Sequence, residues 1–136
     1  FSIRTYNIYM EDSDVTAIAA IYNDLGQVLL LKRAADCIWE PNKWSLPGGH
    51  AVVGETVPTA VKREVFEETG LRISNLEFVR QRKKNFLFKT FTYTGIVTYE
   101  TLDVSENTDF AWVSFEDLDK YDVAINLRQD LMLAQK

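Results

Sequence analysis

A helix that carries carboxylates on its own apolar stripe has few ways to fold, and this chain contains one. Thr56 to Thr69, TVPTAVKREVFEET, reads as a helix: Thr56 suits an N-cap, Pro58 suits the first turn, and Gly70 stands where a helix ends. At about 100° per residue, Val57, Ala60, Val61 and Val65 define one apolar arc roughly 140° wide. Glu64 and Glu68 fall inside that arc and Glu67 falls just beside it, while Lys62, Arg63 and Phe66 point elsewhere. Glutamates on a solvated helix lie opposite the apolar residues, not among them. Carboxylates brought toward an interior repel one another and lose hydration. A divalent cation relieves both problems, and hard oxygen ligands suit Mg²⁺ or Mn²⁺. The i, i+3, i+4 spacing brings all three carboxylates within reach of one metal cluster.

The rest of the chain limits what surrounds this helix. With 136 residues, 46% of them apolar and 12% aromatic, it is expected to fold as one globular domain over residues 1–136. A net charge of -5 and a pI near 4.9 argue against a nucleic-acid polymer as partner. They leave room for a small phosphorylated ligand, which needs only a local positive site. The single cysteine, Cys37, excludes an intrachain disulfide. The apolar stretch VTAIAAIY is too short to span a bilayer, and FSIRTYNIYM has no signal-peptide pattern, so no membrane partner and a cytoplasmic location are expected. Val15–Tyr22 and Gln27–Arg33 read as paired strands around the turn NDLG. The segment from Glu40 to Gly49 reads as loop or irregular strand, broken by Pro41 and Pro47. Leu76–Lys84, Phe86–Thr98 and Phe110–Ser114 read as further strands. Ile125–Gln135 reads as a terminal helix packing through Leu127, Leu131 and Met132. Interspersed strands and helices make the class α/β with a mixed sheet.

One run of residues is more specific than any of this. Gly49, Glu55, Arg63-Glu64, Val65, Glu67-Glu68, Gly70 and Leu71 resemble, at every signature position, the Nudix box of the MutT-type Nudix hydrolases. Such a match arises by chance at a given start on the order of once in 10⁹ at average residue usage. The lead-in Trp44–Gly49 and the flanking strands are also similar to the family. The resemblance implies a mixed β-sheet sandwiched between α-helices. It also implies metal-dependent hydrolysis of a nucleoside diphosphate linked to another group.

Carried over by position, the resemblance implies Glu64, Glu67 and Glu68 as metal ligands and catalytic carboxylates, with the Gly48 carbonyl as a further ligand. Glu55 and Arg63 would pair to hold the loop, and Gly49 and Gly70 would support the site. A further carboxylate, as metal ligand or base, is expected from outside the box. Glu106 is the choice, six residues before Trp112, with Asp109 its competitor and Glu100 a weaker one. Arg33 resembles a phosphate-contacting arginine, against the alternative of a solvated strand end. Asn126 resembles an asparagine that reads a purine edge, against the alternative of helix capping. His50 is expected to be structural or exposed, against the alternative of touching substrate, and the basic run Arg80–Lys84 to be a solvated hairpin tip, against the alternative of steering phosphates. A proline shortly after the box and an upstream coenzyme A signature are both missing, and position 88 carries Phe rather than Tyr. These features favour a nucleoside triphosphate, damaged purine nucleotides included, cleaved by water to the monophosphate and pyrophosphate. The alternative is a non-catalytic Nudix-fold module that binds a nucleotide as a sensor or regulator.

Overall fold

The computed structural model describes residues 14–85, 88–97 and 109–135. Its elements run β1 (Asp14–Tyr22), β2 (Val28–Lys32), β3 (Trp44–Ser45), β4 (Gly48–His50), α1 (Val57–Thr69), β5 (Ile73–Asn85), β6 (Phe88–Val97) and β7 (Phe110–Val113). A 3-10 helix (Phe115–Lys120) and α2 (Leu127–Ala134) follow. The described strands form one mixed sheet. β1 pairs parallel with β6 over its whole length, and the other strand pairings are antiparallel.

The expected pairing of β1 with β2 is reduced to its first step, Tyr22 opposite Val28. Beyond the turn the two strands part. β4 takes β1's edge, with Ile18 opposite Gly48, while β3 and β7 take β2. Of the two readings of Glu40–Gly49, loop or irregular strand, the structure shows both: two short strands, Trp44–Ser45 and Gly48–His50, set in loop. Their pairing partners lie far off in sequence, so neither shows a periodicity of its own.

Alternation along β1 divides the core in two. Ala17, Ala19 and Ile21 pack with Ala60, Val61 and Val65 of α1. Ala20, on the other face, packs with Val28 and Leu30 of β2 and with Leu127 and Leu131 of α2. Helices thus cover opposite faces of the sheet. The terminal helix is shorter than expected, and Met132 is exposed rather than packed. Leu127 and Leu131 share one face at i, i+4, and the next residue is turned about 100° away.

α2 is fixed to the sheet by a buried charge. Asp130, 1% exposed, accepts a 2.6 Å hydrogen bond from Arg80 Nε on β5 and faces Thr92 Oγ1 on β6 at 3.4 Å. Arg82 Nη2 is 3.8 Å from its other oxygen. Arg80 and Arg82 alternate with the exposed Gln81 and Lys83. The basic run is not wholly a solvated tip: alternate members turn under α2. Removing one partner of a buried pair strands the other charge. Asp130→Ala should therefore cost about 3–5 kcal/mol in urea unfolding. A loss below about 1 kcal/mol would show that the brace contributes little.

Candidate active site

α1 begins and ends as its sequence dictates. The Thr56 side chain accepts a hydrogen bond from the Thr59 N–H; at the other end the Gly70 N–H donates to the Phe66 carbonyl and φ 75° at Gly70 turns the chain out of the helix. This framing sets which glutamates face inward. Glu64 is 3% exposed, Glu68 is half-buried and Glu67 is exposed.

Two glycines let a loop close over these acids. Gly48 has φ 147°, and a Cβ there would lie 2.1 Å from the Ala17 carbonyl oxygen on β1. Its N–H donates to Glu68 Oε1 at 2.9 Å. A Cβ at Gly49 would lie 2.5 Å from Glu64 Oε1. Lacking side chains, Gly48 can lie against β1 with its N–H on Glu68, and Gly49 can lie against the Glu64 carboxylate.

Arg63 lies outside the apolar arc and is nevertheless the hub. Its Nε donates to Glu55 Oε2 at 2.6 Å, and its Nη2 donates to Glu55 Oε1 and to the His50 carbonyl, each at 3.0 Å. Its Nη1 meets Glu64 Oε2 at 3.2 Å and Glu67 Oε1 at 3.1 Å. Hydrogen bonding to Glu55 and the charges of Glu64 and Glu55 raise its pKa further. Glu55 Oε1 also accepts from the Val52 N–H at 3.0 Å, closing the loop on itself.

The donor set is all hard oxygen, of the kind that suits Mg²⁺ or Mn²⁺. In the present arrangement the positive charge between Glu64 and Glu67 is the guanidinium of Arg63. Among the described residues no three acidic, His or Cys side chains gather tightly enough to hold a metal as they stand. The fit is one of donor chemistry, with a positive charge already standing between two of the acids.

The other sequence candidates are dispersed. Arg33 follows β2 and donates from Nε to the Trp39 carbonyl at 2.7 Å, so it ties down its own loop. Asn126 precedes α2 at φ 73° and makes no side-chain cap, while its carbonyl accepts from Arg80 Nη2 at 3.3 Å. Asp109 is exposed and accepts from the Phe110 N–H. Glu106 and Glu100 lie outside the described residues. Sequence reading missed the turn of Arg80 and Arg82 toward α2; their two-residue alternation was the available signal.

The glycines differ in what a methyl group would strike, backbone at one and a side-chain end at the other. Gly48→Ala should cost roughly 3 kcal/mol or more by wedging β4 from β1. Gly49→Ala should cost about 1–3 kcal/mol, because the Glu64 carboxylate can swing aside. Urea midpoints of the two variants check this, and the reverse order would contradict the close approach described.

Residues 12–132 match the model of the NUDIX domain. Over 133 residues the chain is 28% identical to "Nucleoside triphosphatase NudI" of Escherichia coli O17:K52:H18, covering 87% of this chain and 94% of that protein. Among solved structures it is similar to a MutT NUDIX hydrolase from Burkholderia pseudomallei, at TM-score 0.77 and 26% identity, covering 90% and 98% of the two chains. It is also similar to a MutT protein from Methanosarcina mazei Go1, at TM-score 0.70 and 25% identity, covering 90% and 94%. The capped acidic helix, the glycine loop folded over it and these likenesses together identify the chain as a member of the NUDIX domain family, a Nudix hydrolase.

Proposed function

We propose that this chain hydrolyses a nucleoside triphosphate to the monophosphate and pyrophosphate. The observation that carries the reading is the buried Glu64 beneath Gly49, with Glu67 and Glu68 beside it and Arg63 between two of the three. The similarity to a nucleoside triphosphatase supports the choice of substrate class.

Glu64, Glu67 and Glu68, with the Gly48 carbonyl and Glu106, would hold Mg²⁺ or Mn²⁺. The bound cation would neutralise phosphate charge and lower the pKa of a water. The chain's own groups do the rest. Glu106 takes a proton from the attacking water, whose oxygen bonds to phosphorus as the anhydride P–O bond breaks and pyrophosphate departs. Arg63 keeps Glu55 and the His50 carbonyl together, so the loop stays folded over the helix. Gly49 and Gly70 keep the loop and the helix end in the shapes this needs. Arg33 contacts phosphate and Asn126 contacts the base.

Turnover of a nucleotide panel should require a divalent cation and stop in excess chelator. Glu68→Gln should lose most activity while its circular dichroism stays native. Glu106→Gln should lower kcat by roughly 10²–10⁴ with little change in KM, the range for lost acid–base assistance. Asp109→Asn should do much less. Full activity in chelator, or a crippled Asp109→Asn beside a normal Glu106→Gln, would overturn these assignments.

A further inference from the structure

The site described so far, on the α1 side, adjoins through β4 one end of a polar row that crosses the other face of the sheet. His50 pairs with Thr16, Thr16 with Thr90, and Thr90 with Arg82, one residue on each of β4, β1, β6 and β5. Paired residues share a face, and this is the face on which Thr92 meets Asp130 of α2. Neighbouring strands are about 4.8 Å apart, so the row spans about 14 Å. That is the reach of an extended nucleotide from its phosphates to the far edge of its base. Gly48, whose N–H holds Glu68, lies two residues before His50 on the same strand. Thr16 and Thr90 are partly exposed.

At the far end the charges do not balance locally among the described residues. Arg80 is committed, with Nε on Asp130 Oδ1 and Nη2 on the Asn126 carbonyl. Arg82 is not. Its side chain is 28% exposed, and among the described residues its ionic contact is Asp130 Oδ2 at 3.8 Å, too long for a hydrogen bond. Among the described residues its buried Nε has no hydrogen-bond partner. Two guanidinium groups therefore share one carboxylate, and the partly exposed one keeps donors to spare.

We propose that Arg82 is the base-selecting residue of this enzyme, reading a nucleobase edge that presents two adjacent acceptors. The inference rests on the nucleotide reading above and narrows it. A guanidinium only donates, through a planar fork. Guanine offers O6 beside N7, the pairing arginine makes most often. Cytosine offers N3 beside O2. Adenine sets an amino donor beside its acceptors, and uracil and thymine set an N–H between their carbonyls. Guanine oxidised at C8 carries a proton on N7 and loses the acceptor pair.

Calorimetric titration of the intact protein with GMP, CMP, AMP and UMP tests this without turnover. GMP or CMP should bind roughly tenfold or more tightly than AMP and UMP. Arg82→Lys keeps a cation beside Asp130 and removes the fork. It should erase the preference, with AMP and UMP binding little changed. Tighter binding of AMP or UMP, no measurable binding of any of the four, or an equal loss on all four in Arg82→Lys would overturn the proposal. So would tighter binding of 8-oxo-GMP than of GMP. Hydrolysis of the corresponding triphosphates is measured in parallel. If none is cleaved while the binding preference stands, the proposed reaction fails and the role of Arg82 survives.

Discussion

Everything at the active face depends on one guanidinium. Arg63 holds two carboxylates of its own helix, the Glu55 carboxylate of the preceding loop and the carbonyl of His50 on β4. Charge-assisted hydrogen bonds of this kind are the strong ones, and the two-pronged contact with Glu55 adds direction. The side chain is only partly exposed, so water competes less than at a surface ion pair. Without that cation, Glu64 and Glu67 would lose the positive charge that stands between them.

The glycines complete what Arg63 begins. Backbone amide and carboxylate meet at Gly48, and backbone and carboxylate nearly touch at Gly49. The loop is held by contacts that any added side chain would occupy. Its position is therefore set by what is missing from the residues as much as by what is present. β1 carries both consequences: its Ala17 carbonyl limits Gly48, and its alternation assigns α1 and α2 to opposite faces.

What could be read from the sequence was local. The cap at Thr56, the stop at Gly70 and the inward Glu64 follow from capping signals and helix periodicity within the fifteen residues Thr56 to Gly70, and the structure shows all three. What stayed undecided or escaped was non-local. β3 and β4 are two and three residues long and exist only through partners on β2 and β1. The 3-10 helix at Phe115–Lys120 gave no signal strong enough to notice. Arg80 looked like a solvated hairpin residue because the acid that buries it is fifty positions away. Asn126 reads from sequence as a base contact or a helix cap, yet its side chain makes no cap and its carbonyl accepts from Arg80, in a left-handed conformation.

The two charged braces touch different parts of the fold. Arg63 joins α1 to β4 and its loop; Asp130 joins α2 to β5 and β6. They share no residue, and β1 stands between them. Substitutions around one brace can therefore accumulate with little energetic coupling to the other. A lineage built on this scaffold could redraw what it recognises through β5 and α2 while its acidic helix and glycine loop stay as they are.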